Sequence, residues 1–555
     1  MKIRIIIKPL LIKFGLVFLA VILFALSFPN IIFVNGLSFL AFIAYVPVFY
    51  LIYKVKLGES LFWGALYGYF AFWLFNYWLS AFHPLAGIIT FSVYMVYNAV
   101  LFFFLRLALI LYPKFFFIVW WLVWLAYEYL RSIGFLGYTF GITGYSQWQM
   151  IPIIQIAEIF GVWGVSALVI FPSSWFAALL KKLDEQRQIN KEQAGRIEKK
   201  QFRKIILHQK PLFISIIIWF AALTTALVYG FIAPKDYTDS KKANIALIQH
   251  NSNPWKSGII EYRKDLNSLK RLSDAAVSGE IKPDLVVWPE TAFVPRIYWH
   301  ETYRDDQASW ILVKELLDYL KKQDIPFIIG NDDARMDPAR DPNEDQKHRV
   351  DYNAAMFYEK GKNNGVYRKI HLVPFTEYFP YKKQFPGIYR FLENEKIQFW
   401  EKGAEYTVFS TAGFTFSTPI CFEDTFGYIS RKFVQKGADL IVNLTNDSWS
   451  NSLPAQNQHL STSVFRAVEN RRSVVRSAVS GQTCGIDPNG RIINMAIPFT
   501  ETHLTVAIPI VKGYTTIYNC WGDFIAVIFT ITAIAVLILG SVKFILKIII
   551  GRRKR

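Results

Sequence analysis

Cysteine is scarce in this chain of 555 residues, with Cys421, Cys484 and Cys520 the whole complement. Three thiols cannot all pair with one another, and their spacings match neither C-x-x-C nor a zinc pattern, so a disulfide scaffold is not expected. We expect no cofactor and no metal. The sequence also lacks G-x-S-x-G, H-E-x-x-H and P-loop strings, which leaves serine hydrolase, zinc protease and NTPase readings without support. Charge is thin as well, at 19% of residues. No internal repeat is visible and few charges fall within the apolar runs, against a transporter carrying a sensory outer domain.

What the chain has in quantity is apolar surface: 53% hydrophobic, 17% aromatic and a mean hydropathy of +0.26. Crossing a bilayer takes a run of about 20 apolar residues. Such runs lie at 10–28, 31–53, 61–82, 84–105, 115–130, 151–180 and 212–231, with an eighth at 524–550. The fifth is short and includes Glu128, and the sixth carries Gln155 and Glu158. Lys2, Arg4 and Lys8 ahead of the first run resemble a signal peptide. The run is longer than an h-region and no small-residue cleavage site follows, so an uncleaved first helix is expected. The pattern is that of a polytopic α-helical membrane protein with eight spans.

A net charge of +19 raises the question of nucleic acid. Its distribution answers otherwise. Positions 181–210 hold ten Lys/Arg against four Asp/Glu, the tail ends Arg552-Arg553-Lys554-Arg555, and Lys54 and Lys56 follow the second run. The positive-inside rule puts these segments in the cytoplasm, which accounts for the charge without a nucleic-acid partner. The N-terminus then lies inside. Seven crossings carry the chain from about Asp236 to Trp521 outside, and the eighth returns the basic tail. Three regions follow: 1–235 with seven spans and a basic cytoplasmic loop at 181–210, an extramembrane domain at 241–512, and a last span with its tail at 520–555.

Within 241–512 short β-rich runs alternate with helical patterns. Strands are predicted at 244–249, 284–288, 327–330, 354–358, 413–420, 439–444, 474–479 and 504–508, with amphipathic helices at 259–277 and 310–323. Several strands are apolar almost throughout, as when both faces of a sheet are covered, so an α/β layered domain is expected. Pro488-Asn489-Gly490 reads as a tight hairpin turn.

Three polar residues end β-like runs in this domain. Glu290 closes Leu285-Val286-Val287-Trp288-Pro289-Glu290. Lys369 sits in Tyr367-Arg368-Lys369-Ile370-His371-Leu372-Val373-Pro374-Phe375, and Cys421 in Thr418-Pro419-Ile420-Cys421-Phe422-Glu423-Asp424. Strand ends, where rigid elements hand over to loops, are where active groups gather. Taken singly, a buried small thiol, a helix-capping Glu and a solvated Lys are the plainer readings. Their order along the chain is what points to a site.

These blocks, together with Thr376-Glu377-Tyr378-Phe379-Pro380 and Asn443-Leu444-Thr445-Asn446-Asp447-Ser448-Trp449, resemble the signature blocks of the carbon–nitrogen hydrolase (nitrilase) superfamily. Seven spans before such a domain and one after it resemble the apolipoprotein N-acyltransferase family. Tyr127-Glu128-Tyr129-Leu130-Arg131, Gly144-Tyr145-Ser146-Gln147 and Phe465-Arg466-Ala467-Val468-Glu469 are similar to that family's membrane and late catalytic stretches, so the resemblance spans nearly the whole chain.

The resemblance implies a nitrilase-like α-β-β-α sandwich outside a bacterial cytoplasmic (inner) membrane. It implies a phospholipid acyl donor and a diacylated apolipoprotein acceptor. Cys421 is then the nucleophile, Glu290 the proton acceptor, and Lys369 the group that favours the thiolate and, with the backbone N–H of Phe422, the developing oxyanion. Glu377 matches the Glu that orients the lysine, and Glu423 matches a further functional acid; structural ion pairing is the alternative for both. Phe422 replaces the family's usual Tyr, Ser450 and Asn451 follow Trp449 in place of Phe, and Val479-Ser480-Gly481 departs from an Asn-Asn-Gly-like element. These departures bear on substrate preference. A membrane-tethered amidase or nitrilase acting on a small amide would use the same trio.

Overall fold

The apolar runs fold as helices, though not all as single ones. The computed structural model describes residues 2–82, 84–192, 210–336, 349–379, 381–382, 384–394 and 399–553. Chain contacts group residues 1–234 with 523–555 as one unit and 235–522 as another.

The first unit holds α1 (Lys2–Ser27), α2 (Val46–Lys54), α3 (Leu57–Phe75), α4 (Pro84–Leu111), α5 (Phe116–Leu130), α6 (Ala157–Glu192) and α7 (Lys210–Ile232), and a closing helix, Phe524–Arg553. Among the described residues, five stretches are long and apolar enough to cross a membrane: Lys8–Ser27, Pro84–Leu111, Ala157–Gln188, Lys210–Ile232 and Phe524–Ile550. Ser38–Lys54 and Phe116–Leu130 are shorter apolar helices. The expected run 31–53 is broken. Gly36 has φ +78° and a Cβ there would lie 2.5 Å from the carbonyl carbon of Phe28, so the chain turns back tightly before a 3-10 turn and α2. The run 61–82 ends early at Asn76, whose side chain donates to Tyr138 Oη at 2.7 Å, and only one turn, Leu79–Phe82, follows. The run 151–180 is interrupted at Gly161. Of the basic loop 181–210, residues 193–209 lie outside the described residues.

Glu128 and Arg131, both buried inside this apolar unit, have polar partners there, as hydrocarbon surroundings favour. Glu128 accepts from the backbone N–H and hydroxyl of Thr143. Arg131 donates to Tyr94 Oη and to the carbonyls of Tyr138 and Phe140 at 2.9–3.0 Å.

The second unit is built on two six-stranded sheets. The strands are β1 (Lys242–Gln249), β2 (Leu285–Val287), β3 (Phe327–Met336), β4 (Arg349–Glu359), β5 (Lys362–Arg368), β6 (Val408–Ser410), β7 (Thr415–Ser417), β8 (Leu440–Thr445), β9 (Ser473–Ala478), β10 (Cys484–Ile486), β11 (Ile492–Met495) and β12 (Thr502–Pro509). One sheet runs β12-β1-β2-β3-β4-β5 and the other β11-β10-β9-β8-β7-β6. In each, three central strands are parallel (β1-β2-β3 and β7-β8-β9) and the flanks antiparallel. Ser477 Oγ of β9 donates to the carbonyls of Ile248 and Val287, tying the second sheet to the first.

Helices α8 (Ile259–Ser278) and α9 (Gln307–Lys321) bury Leu266, Leu269, Leu272, Leu312, Val313 and Leu316 against Val286, Trp288, Phe327 and Ile329 of the first sheet. Burying each such side chain is worth about 1.5–3 kcal/mol. Helices α10 (Gly427–Gln435) and α11 (Leu453–Asn470) follow β7 and β8. All eight predicted strands are present. β5, β6, β10 and β11 were not among them; the 488–490 turn joins β10 to β11, with Gly490 at φ +83°.

Candidate active site

Each of the three blocks delivers its polar residue just beyond a strand. β2 runs into Trp288, buried against the α8 and α9 layer, and the chain then turns at Pro289 and Glu290. Thr291 takes φ +46° at that turn. β3 passes so close that a Cβ on Gly330 would lie 2.2 Å from the Pro289 carbonyl oxygen, so only glycine fits opposite Glu290.

Lys369 follows the last residue of β5. Its amide donates to the Asn353 carbonyl at 2.8 Å, and its carbonyl accepts from Gly403 at 2.8 Å, so the backbone is clamped on both sides. The side chain is fully buried. Its Nζ lies 2.7 Å from Glu377 Oε1 and 3.4 Å from Glu290 Oε1. Glu377 also accepts from the Val373 amide at 2.8 Å, which fixes its carboxylate. Asn353 of β4 donates to Glu290 Oε1 at 2.8 Å.

Cys421 opens a 3-10 turn, Cys421–Thr425, with φ +50°. A β-carbon in that region of φ costs about 1–3 kcal/mol, and such strain persists only where neighbours over-determine it. Here Asn443 of β8 donates to the carbonyls of Pro419 (3.1 Å) and Cys421 (3.2 Å). Glu423 secures the other side: it accepts from the amides of Ile420, Ile370 and His371 at 2.8–2.9 Å and from Tyr367 Oη. Its carboxylate therefore joins the Lys369 segment to the Cys421 turn. Phe422 packs its ring edge-on against Phe426 at 4.9 Å.

The structure thus brings Glu290, Lys369, Glu377 and Cys421 together. The electrostatics follow from burial. Desolvation raises Glu290 above the usual carboxylate range; Lys369 opposes it, Glu377 adds to it, and hydrogen bonds from Asn353 and Cys421 oppose it. For Lys369 burial acts downward, but the carboxylates of Glu377 and Glu290 outweigh it and hold the ammonium charged. The Cys421 thiol is pushed up by burial and by Glu290, with Lys369 acting against both. At rest the site therefore holds a protonated thiol beside a carboxylate of raised proton affinity and a fixed cation. Such an arrangement can pass a proton from sulfur to Glu290 and hold negative charge at Lys369. Burial likewise pushes Glu423 up to about 6 against its three backbone donors.

Asn353 and Asn443 were missed from sequence. Asn443 belongs to a quoted block, but its bond to the Cys421 carbonyl exists only once β8 lies beside the Cys421 turn. Also missed was a buried cluster of Asp424, Asp447, His459 and Arg476 behind the turn. Among the described residues no group of three or more His, Cys, Asp or Glu side chains is arranged to hold a metal ion.

Comparison with known proteins places both halves. The carbon–nitrogen hydrolase family matches residues 244–518, and the apolipoprotein N-acyltransferase N-terminal domain matches residues 20–175. The chain is 42% identical over 526 residues to apolipoprotein N-acyltransferase 1 of Treponema denticola, covering 93% of this chain and 94% of that one. It is 43% identical to apolipoprotein N-acyltransferase 1 of Treponema pallidum, covering 96% of each. Among solved structures, Saccharomyces cerevisiae Nit3, of the nitrilase superfamily, aligns with 50% of this chain and 92% of its own at 19% identity, TM-score 0.35.

Proposed function

Because the chain belongs to the apolipoprotein N-acyltransferase family, we propose that it transfers an acyl chain from a membrane phospholipid to the N-terminal amine of a diacylglyceryl-modified cysteine in apolipoproteins. Cys421 is the nucleophile. Its proton passes to Glu290 as the sulfur attacks the ester carbonyl; the C–O bond breaks, and Glu290 returns the proton to the leaving alcohol. A lysophospholipid departs and an acyl thioester remains on Cys421. The free α-amine of the acceptor then attacks the thioester, the C–S bond breaks, and the thiol is restored as the amide forms. Lys369 and the Phe422 amide stabilise the oxyanion in both steps, each such donor being worth about 3 kcal/mol. Glu377 orients Lys369, and Glu423 acts as a positioning residue for the Cys421 turn.

The observation that carries this reading is the buried ammonium of Lys369, 2.7 Å from Glu377 and 3.4 Å from Glu290, beside Cys421. On the same reading residues 241–512 form an α-β-β-α sandwich on the outer side of the bacterial inner membrane, reached after seven of eight crossings. A small-amide hydrolase is disfavoured because the likeness to the Treponema acyltransferases runs through the helical half as well as the hydrolase-like half.

The test is covalent. Given phospholipid and no lipopeptide, the enzyme is expected to accumulate an acyl thioester on Cys421 alone, released by neutral hydroxylamine. A diacylated lipopeptide then discharges it onto its amine. Cys421→Ala abolishes labelling and transfer, whereas Cys484→Ala and Cys520→Ala leave both largely intact. Label persisting in Cys421→Ala, or transfer proceeding without it, removes the mechanism.

A further inference from the structure

Behind the Cys421 turn lie four charged side chains to which the acyl transfer assigns no step. Asp424 belongs to that turn, Asp447 follows β8, His459 lies in α11 and Arg476 in β9. All four are buried. His459 bridges the two carboxylates, with Nε2 2.7 Å from Asp424 Oδ1 and Nδ1 2.9 Å from Asp447 Oδ1. A neutral imidazole carries one N–H and can donate to only one of them; the imidazolium satisfies both. Arg476 donates to Asp424 and, at 3.3 Å, to Asp447, and the same Nη2 stands 3.3 Å from His459 Nδ1, farther than the 2.9 Å from that nitrogen to Asp447. Two cations thus balance two anions in a water-poor pocket, as buried charge requires.

The cluster reaches the nucleophile through Asp447. Thr445 Oγ donates to Asp447 Oδ1 at 3.4 Å, and Thr445 also interacts with the Cys421 thiol. The charged groups acting on that thiol come from four directions: Glu290 after β2, Lys369 after β5, Asp447 after β8 and Arg476 in β9. Behind these stand Glu377 on Lys369, and Asp424 and His459 on Arg476 and Asp447. Uncompensated, the Asp447 carboxylate opposes Lys369 at the moment a thiolate must form.

Resting on the reading of Cys421 as nucleophile, we infer that His459 is a positioning residue that holds Asp447 in place and offsets its charge, so that Asp447 does not work against Lys369 at the Cys421 thiolate. In support, the carboxylates of Asp424 and Asp447 outweigh burial and push His459 up to about 9, so the imidazolium persists at neutral pH.

A merely structural cluster and an electrostatic one respond differently to paired substitutions. The probe is iodoacetamide, with alkylation of Cys421 in the purified full-length protein followed by peptide mass spectrometry between pH 7 and 9. His459→Asn leaves one carboxylate unbalanced, and Cys421 is expected to alkylate about tenfold more slowly at each pH. Asp447→Asn removes the opposing charge, and alkylation is expected to quicken by a similar factor. Loosening of the turn would expose the thiol and quicken both. Opposite signs support the inference; equal signs, or no change in variants shown folded by thermal unfolding, overturn it. If His459→Asn does not fold, His459→Gln takes its place and is scored against Asp447→Asn by the same comparison of signs. Acyl transfer surviving in Cys421→Ala would overturn the underlying nucleophile reading instead, and is told apart because the alkylation comparison is scored without any acyl substrate.

Discussion

At Glu290, burial and the Lys369 cation act against each other, and burial prevails. A carboxyl whose proton affinity is raised in the folded protein loses its basic form as pH falls through a value above the usual carboxylate pKa of about 4.3. The rate of thioester formation is therefore expected to fall on the acid side at a higher pH than an ordinary carboxylate would give. Glu290→Gln keeps the shape and the bond to Asn353 but accepts no proton. It is expected to slow acylation by at least about 10²-fold, the lower range for general-base catalysis, and to abolish that acid limb. Near-normal turnover with the limb intact would make Glu290 structural. This residue was legible because it stands inside a recognisable block, as do Lys369 and Cys421. Asn353 was not: it lies in an ordinary strand, and its role exists only because β4 pairs beside β3 and turns its amide onto Glu290. His459 was invisible for the same reason, since its two carboxylate partners stand 35 and 12 residues away.

Among the elements, α3 and α4 show how small residues set helix separation. A Cβ on Gly64 would lie 2.3 Å from the Asn98 carbonyl oxygen, and one on Gly68 would lie 2.3 Å from that of Tyr94. Two glycines four residues apart therefore let the backbones touch, as in membrane helix pairs generally. Tyr94 also anchors Arg131, so a shift of α4 would disturb the buried cation as well. Gly68→Val is expected to cost about 1–3 kcal/mol and to lower the thermal midpoint in detergent. Gly58→Ala, where nothing lies within 4 Å of the added carbon, is expected to leave the midpoint unchanged or slightly higher. Equal midpoints for the two variants would mean that close packing of α3 on α4 carries no stability. Element reading from sequence worked where burial is two-sided and apolar, as at β8 and β9. It stopped short at β3, where Asn331, Asp332 and Asp333 are buried in the strand but held by Arg335, Arg368 and Trp400. It passed over β5, whose Lys362-Asn363-Asn364-Gly365 start is polar and lies on a sheet edge.

For the whole molecule, the question is which helices cross. Counting only the five long ones and starting from a cytoplasmic N-terminus, α1, α4 and α6 put the basic segment expected at 181–210 on the outer side. α7 would then return the catalytic unit to the cytoplasm, and the closing helix would place the Arg/Lys tail outside. Every strongly basic segment after the N-terminus would lie on the wrong side. Adding α2 with its preceding 3-10 turn, α3 and α5 reverses each assignment. The 17 residues of Ser38–Lys54 and 15 of Phe116–Leu130 span about 25 and 22 Å at 1.5 Å per residue, short of a 30 Å hydrocarbon layer but within reach of a locally thinned one. With eight crossings Lys54 and Lys56, the basic loop and the tail would all face inward, and residues 235–522 would lie outside, on the side of the proposed acceptor. The two counts make opposite predictions at the same two points. Reporter fusions after about residue 200 are expected in the cytoplasm and fusions after about residue 240 on the outer side. The reverse pattern selects five crossings, and both reporters in the cytoplasm would place the Cys421 site on the side away from its proposed acceptor.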